Sequence, residues 1–421
     1  MNIQEPSEDV PRRSNRARIP NNALQAGILA YLKSLSYGPV DTKLLPKKYT
    51  LYPPLLILPV NFASASEEWQ VKYENLSGDE KLDLFSHITA AFKPQIITHI
   101  AINAAISPET VNNGTENVMR SPSNITPVYG DFGPDALLDP NNTRPTQADF
   151  DAAFWISPTQ NGGIVQTWAP RWTMFSRGNI TEKARILDEG NSMKGLSNRQ
   201  LGEDFSCVDV ADFYVGIGYF AFSYLKRGAR TVFGWDINAW SIEGMRRGCV
   251  SNGWDCFVAT LDENGSVELT QLDHIVHFLS SNRNKGKCVA FLGDNKFAPL
   301  LLAEINRLRC EGSPSDGQNV SGVNTRHVNL GLLPTARASW QDAIRVMNHK
   351  KGGWLHVHEN VDIKDIDSKR AEMINSFERI VHDMFEGSWH VSCCHVEQVK
   401  TYAPGVMHCV FDIVVGPMDP T

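Results

Sequence analysis

Two glycines and three polar residues carry the clearest chemistry in this 421-residue chain. The stretch Val208–Phe220, VDVADFYVGIGYF, runs a buried strand into Gly216-Ile217-Gly218, and a helix is predicted immediately after it. Glycines at such a junction let backbone approach a ligand where the strand's carboxyl end meets a helix N-terminus. Twenty residues beyond Gly216 stands Asp236, at the end of the next predicted strand, placed to accept hydrogen bonds from both hydroxyls of a ribose. Asp294 and Asn295 follow the third strand, a carboxylate and an amide suited to reading an adenine amino group, although a loop acid is also at home in solvent. As a string, Gly216-x-Gly218-x-x-Ala221 satisfies the dinucleotide fingerprint too, and a bare Gly-x-Gly also serves as a plain turn.

The elements that must position these residues begin at Cys207. Short β-branched runs alternate with helical segments: CVDVADF before a helix from about Phe220, RTVFGWDI before one from about Ala239, and CVAFLGD before Ala298–Leu308. HVNLGLL precedes a helix near Trp340–Met347, and WLHVHENV precedes one at about Ser368–Phe385. This rhythm predicts an α/β fold, a mostly parallel sheet covered by helices on both faces. Trp389–Val399 and Gly405–Val415 then follow one another with no helix between them, closing the sheet with an antiparallel pair. That is the Rossmann-like layout of class I S-adenosylmethionine-dependent transferases, and it sets the glycine loop in a context that favours S-adenosylmethionine over a dinucleotide.

Upstream, a helical pattern occupies Leu24–Leu35, and the proline-interrupted run Leu51–Val60 reads as an edge strand or strand entrance. Ile96–Ala105 alternates like a half-buried strand, 107–149 reads as a long loop, and Gly163–Trp168 as a further strand. The expected division is a disordered basic tail over 1–22, a smaller α+β RNA-positioning region over 23–204, and the transferase domain over 205–421.

Five segments give the chain a family likeness: Trp168–Arg185 (WAPRWTMFSRGNITEKAR), Val208–Phe220, Phe291–Ala298, Leu330–Trp340 (LGLLPTARASW) and Trp354–Val361 (WLHVHENV), with Tyr402–Gly416 as a sixth. Through them it resembles the tRNA-modifying enzymes that act on nucleotide 37, beside the anticodon, and within them the branch performing the second step of wybutosine synthesis. A weaker likeness at Leu45–Pro59 and His99–Ile106 extends through the N-terminal half. The resemblance implies transfer of the 3-amino-3-carboxypropyl group of S-adenosylmethionine onto C7 of 4-demethylwyosine in the anticodon loop of phenylalanine tRNA, releasing methylthioadenosine. It also implies that Ser176, Lys183, Asp236, Asp294 and Asn295 contact the cofactor, and it assigns no catalytic base. Relatives often carry Glu at the position of Asp236, and the run Gly253–Lys287 looks like an insertion.

The sister activity in that family is N1-methylation of guanine 37, whose contiguous Asn-Leu-Pro helps position the base. Here Asn329-Leu330 is separated from Pro334 by Gly331-Leu332-Leu333, which favours the aminocarboxypropyl branch. His356 and His358 point to one face of a predicted strand and, with Asn360, are candidates to line the target-base pocket. A metal is not expected, since no third ligand is evident and the chemistry needs none. RNA binding falls to Trp168–Arg199, where six Lys/Arg (171, 177, 183, 185, 194, 199) outnumber three acids amid Trp168, Trp172 and Phe175. The competing reading of that segment is a loop packed under the catalytic domain.

Composition bounds the rest. With 40 Lys+Arg against 47 Asp+Glu the chain carries −7, which excludes a globally cationic nucleic-acid binder but not a local basic patch. The eight cysteines contain no C-x-x-C pair and none precedes Cys207, so reduced, mostly buried thiols are expected. No apolar signal segment or membrane-length window occurs, and a cytoplasmic location is expected, where the sequons at Asn124 and Asn179 go unused.

Overall fold

A computed structural model describes residues 22–103, 125–133, 145–173, 180–188, 193–281, 285–311, 322–386 and 388–418. The expected basic tail, most of the 107–149 loop, Ser176, Arg177, Phe175 and both sequon asparagines lie outside the described residues. The chain forms two compact units, one of residues 1–106 and 124–131 and the other of 107–123 and 132–421. The boundary expected near residue 204 is thus displaced. Residues beyond 131 go with the second unit because Trp172 packs in that unit's core, stacked on Trp240 with ring centroids 4.9 Å apart.

In the first unit, helix α1 (Ala23–Ser34) is capped by Asn22, whose side chain accepts from Gln25 N, and it buries Leu24, Ile28, Tyr31 and Leu32 at helical spacing. The apolar run expected as one edge strand divides at Pro53-Pro54 into β1 (Thr50–Tyr52) and β2 (Leu55–Pro59), which pair antiparallel. Two helices follow, α2 (Glu67–Glu74) and α3 (Gly78–Ala90). α1 and α3 cross closely at Gly27, where a Cβ would come within 2.5 Å of Ile88 Cα. Strand β3 (His99–Asn103) runs parallel to β2, and β4 (Ile125–Tyr129) pairs antiparallel with β3, so β2 and β3 are interior and β1 and β4 are the edges. β4 falls inside the stretch expected as loop.

The second unit opens with short helices α4 (Gln147–Ala152), α5 (Ile180–Ile186) and α6 (Asn198–Leu201). Gly163–Trp168 does not form the expected strand; isolated antiparallel bridges tie Ile156 to Trp168 and Thr159 to Val165. The alternating region then follows in chain order: β5 (Asp209–Asp212), α7 (Ala221–Arg227), β6 (Thr231–Asp236), α8 (Ala239–Asn252), β7 (Asp255–Thr260), α9 (Leu269–Ser280), β8 (Lys287–Leu292) and α10 (Ala298–Glu311). It continues with β9 (Thr325–Leu330), α11 (Trp340–Val346), β10 (Gly353–Asp362), α12 (Ile366–Met384), β11 (Trp389–Ala403) and β12 (Val406–Pro417).

These strands build one sheet in the order β11-β12-β10-β9-β5-β6-β8-β7. The strands from β10 to β7 are parallel, and β12 and β11 add antiparallel, as expected. Because side chains alternate across a strand, Val232 and Ala290 enter the core with α7 and α8 while Phe233, Trp235 and Phe291 enter the opposite core with α10 and α11. The supposed insertion Gly253–Lys287 supplies β7 and α9, a complete edge unit whose helix buries Leu272, Ile275 and Leu279. Strand order reverses between β5 and β9, which opens a crevice at the carboxyl ends of the strands.

Candidate active site

β5 ends at Asp212, and the chain turns through Gly216 (φ +55°) and Gly218 (φ +87°) before α7 begins. A Cβ on Gly216 would meet the Tyr219 ring at 2.9 Å, and one on Gly218 would meet Phe222 at 2.5 Å, so both positions require glycine sterically as well as conformationally. Asp236 closes β6 and reaches back to this loop: its Oδ2 accepts from Gly216 N at 3.0 Å and its Oδ1 from Asn238 N at 2.7 Å. Gly216, Asp236, Asp294 and Asn295, predicted from spacing alone, converge on one cavity of about 460 Å³. That volume lies within the roughly 300–1,000 Å³ usual for small-molecule sites.

The aromatic walls are Phe213, Tyr214, Trp235 and Phe220. Asp294 is half exposed and pairs with Lys296 at 3.2 Å. Asn295 reaches the cavity, but its amide is already used by the fold: Nδ2 donates to Phe213 O at 2.7 Å and Oδ1 accepts from Ser339 Oγ at 3.2 Å. Tyr214 OH shares a 2.6 Å hydrogen bond with Ser339 Oγ, so Asn295 and Ser339 brace the aromatic wall. On the other side of the crevice, from β10, β12 and β11, come His358, His408 and Lys400. Gly331, Leu332 and Leu333, the residues that interrupt the sister family's Asn-Leu-Pro, line the cavity between the two sides.

Sequence reasoning missed three of these groups. Asp212 lies fully buried under the glycine loop; it accepts from Tyr214 N at 3.3 Å, its Oδ2 has no partner, and burial pushes its carboxyl up to about 7. An acid as the last residue of a fully buried strand, directly before the glycine loop, is the signal that marks it. His408 sits in a strand-like run and Lys400 directly after another, and their register against β10 is a tertiary fact.

Other expectations change. Lys183 does not line the cavity: its Nζ donates to Gln166 Oε1 at 2.8 Å and lies 5.4 Å from the centroid of Tyr219, which does. Burial lowers that ammonium to about 8. Of the three residues expected at the base pocket, only His358 lines the cavity. His356 is buried elsewhere, joined to Asp412 Oδ1 at 2.8 Å and to His327 at 3.0 Å, and Asn360 is outside the wall.

Much of the basic segment Trp168–Arg199 is buried and is not available as an RNA surface. Trp168 and Trp172 are buried. Arg185 is 2% exposed, hydrogen-bonded to Glu182 Oε2 at 2.8 Å and to Asp412 Oδ2. One cation against two buried carboxylates leaves a surplus acid, and burial pushes Glu182 up to about 8 while the Arg185 guanidinium and His356 hold Asp412 low. Lys194 and Arg199 remain exposed.

All eight cysteines are free thiols. Among the described residues, one trio has metal-ligand chemistry: the sulfurs of Cys249, Cys256 and Cys288 lie within 4.8 Å of one another. They sit near the amino ends of β7 and β8, away from the cavity, against an apolar core that includes Phe222 and Leu225. Among the described residues no helix is long and apolar enough to cross a membrane.

No family model matches the chain. It is 34% identical over 396 residues to tRNA wybutosine-synthesizing protein 2 of Schizosaccharomyces pombe, covering 93% of this chain and 78% of that protein. Against the Saccharomyces cerevisiae protein of the same name the identity is 30% over 403 residues, covering 88% and 74%. Among solved structures, Pyrococcus horikoshii TYW2 in complex with MeSAdo superposes with a TM-score of 0.51 at 16% identity, covering 92% of this chain and 98% of that one, a likeness of fold. The dinucleotide alternative has no counterpart among these relatives. With the glycine loop, acid and cavity in register, and with this identity running nearly end to end, the chain belongs to the tRNA wybutosine-synthesizing protein 2 family.

Proposed function

We propose that the protein transfers the 3-amino-3-carboxypropyl group of S-adenosylmethionine to C7 of 4-demethylwyosine at nucleotide 37 of phenylalanine tRNA, with methylthioadenosine as by-product. The observation that carries this reading is the cavity where the glycine loop and Asp236 meet, in a chain of this family. The residues fit the cosubstrate: the cradle at Gly216 and Gly218 is closed by any Cβ, and a carboxylate stands beside it. S-adenosylmethionine supplies a sulfonium that activates three attached carbons toward displacement.

Which carbon reacts is then a matter of pose. Asp236 takes the ribose hydroxyls and Asp294 the adenine edge. Phe213, Tyr214 and Trp235 form a dry wall that excludes water from the reacting centre. Lys183 steadies Tyr219 and Ser176 completes the cofactor contacts. The target base enters between Gly331-Leu332-Leu333 and the histidine side of the crevice.

Cofactor labelled separately in its methyl and carboxypropyl groups tests the reading on tRNA. Carboxypropyl label is expected in the RNA, with methylthioadenosine released in equal amount; label from the methyl alone would show the guanine-N1 methyltransferase instead. Nucleoside analysis of phenylalanine tRNA from cells lacking the protein should show 4-demethylwyosine accumulating.

A further inference from the structure

The titratable groups that line the cavity divide into those whose hydrogen bonds are already used and those whose are not. Asp236 is held by Gly216 and Asn238, Asp294 pairs with Lys296, and Asp342 pairs with Arg345 at 2.8 Å. Tyr214 OH is bonded to Ser339. His358 and His408 differ. They are 2% and 1% exposed, their Nδ1 and Nε2 atoms meet at 3.0 Å, and the remaining nitrogens, His358 Nε2 and His408 Nδ1, are buried without a partner. An unpaired buried imidazole nitrogen costs free energy that folding alone has no reason to retain.

The pair is also built into the sheet. His408 on β12 pairs with Asn360 on β10, which sets it diagonal to His358, and with Lys400 on β11. The three side chains run in a row across β10, β12 and β11, from the buried crevice to the exposed Lys400. Phe220 of the glycine loop packs against His358 with centroids 5.1 Å apart, so the imidazole lies beside the cofactor loop and not at a distant end.

We infer that His358 is the catalytic proton acceptor of the transfer reaction and that His408 is the positioning residue that holds its tautomer and carries the proton outward. The inference rests on the aminocarboxypropyl reading above. In the step, C7 of the base attacks the carboxypropyl carbon bound to sulfur. A C–C bond forms, the C–S bond breaks, and its electron pair stays on the sulfur of methylthioadenosine. The C7 proton then passes to His358 Nε2 and the C–H electrons restore the ring.

This requires His358 to be protonated on Nδ1 and to donate to His408 Nε2, which leaves its Nε2 lone pair, buried and without a protein partner, to accept the proton. On accepting a proton, His358 hands its Nδ1 proton to His408 Nε2, and the imidazolium so formed gives its Nδ1 proton to water once the product has left. Burial keeps both imidazoles neutral, His358 well below the usual histidine range and His408 at about 4. A base this weak still accepts readily from a cationic ring carbon, and it does not retain the proton afterwards.

The test uses the full-length protein, phenylalanine tRNA carrying 4-demethylwyosine, and the same base deuterated at C7. His358→Asn is expected to bind S-adenosylmethionine within about twofold of wild type, to lose about a hundredfold in kcat, and to show a primary deuterium isotope effect that wild type lacks. His408→Asn should show a smaller loss with a weaker isotope effect. If His358→Asn does not fold, His358→Gln replaces it, with cofactor affinity as the check on folding. A folded variant that keeps its kcat, or loses it with no isotope effect, overturns the assignment. Wild type that transfers no carboxypropyl group refutes the parent reading instead, so the two failures are distinguishable.

Discussion

The backbone N–H of Gly216 donates to Asp236 Oδ2 over 3.0 Å and joins two elements that lie twenty residues apart in sequence. Asn238 N holds the other oxygen at 2.7 Å, so the carboxylate is oriented before a ligand arrives.

Asp236→Ala is therefore expected to weaken S-adenosylmethionine binding about ten- to a hundredfold, the value of hydrogen bonds to a charged acceptor. Affinity for tRNA should stay near wild type. Calorimetric titration of each ligand checks this, and equal losses in both would contradict a ribose role.

The parallel sheet was legible because a strand buried on both faces reads as an unbroken apolar run, as Cys288–Leu292 does, whereas Val208–Phe213 is broken by Asp209 and Asp212 and was marked by the glycine loop that follows it. Asp236 was legible for a related reason, since chain distance sets it at the next strand's end. Arg185 was not: nothing in KAR distinguishes a solvated cation from one bound to Asp412, 227 residues away. Lys183 and Trp172 misled in the same way, because burial of a charged or aromatic side chain is decided by partners far along the sequence. His358 was read as pocket-lining and is, while His356, on the same face two residues earlier, lies deeper among His327 and Asp412. The edge unit of β7 and α9 looked like an insertion because an added strand leaves no trace in the motifs of its neighbours.

Arg185→Met separates the two readings of the basic segment. Its removal leaves Asp412 and Glu182 buried without their cation, at a cost of about 3–5 kcal/mol. Urea unfolding should register that loss, while tRNA affinity of the folded protein stays near normal. Arg185→Lys should recover only part of it, since a single ammonium does not reproduce the guanidinium's simultaneous bonds to Glu182 and Asp412.

Glu182 makes stability pH-dependent with a definite sign. Its folded pKa is raised to about 8 by burial, above an unfolded value near 4.5. The protonated carboxyl is favoured in the folded state, so its contribution is complete below the unfolded value. It is lost progressively as pH rises toward about 8. The melting temperature of Glu182→Gln minus that of wild type should therefore increase between pH 5 and 8 and then level off. A difference that stays flat across that window would mean the acid is ionised throughout.

Among the described residues of Trp168–Arg199, the cations exposed to meet a phosphate are Lys194 and Arg199, the latter on α6. Arg171 is less available, because its guanidinium donates to Gly133 O at 3.2 Å and lies over Trp172. A phosphate contact made by either exposed cation releases counterions, so its loss appears in the salt dependence as well as in the affinity. Lys194→Glu and Arg199→Glu are each expected to weaken tRNA binding severalfold at low salt, and to reduce the slope of log affinity against log salt by about one per lost contact. Cofactor affinity and unfolding should be unchanged, because neither side chain is part of the core. A slope identical to wild type in the double variant would remove this segment from the interface, leaving the tRNA to be held by other parts of the chain.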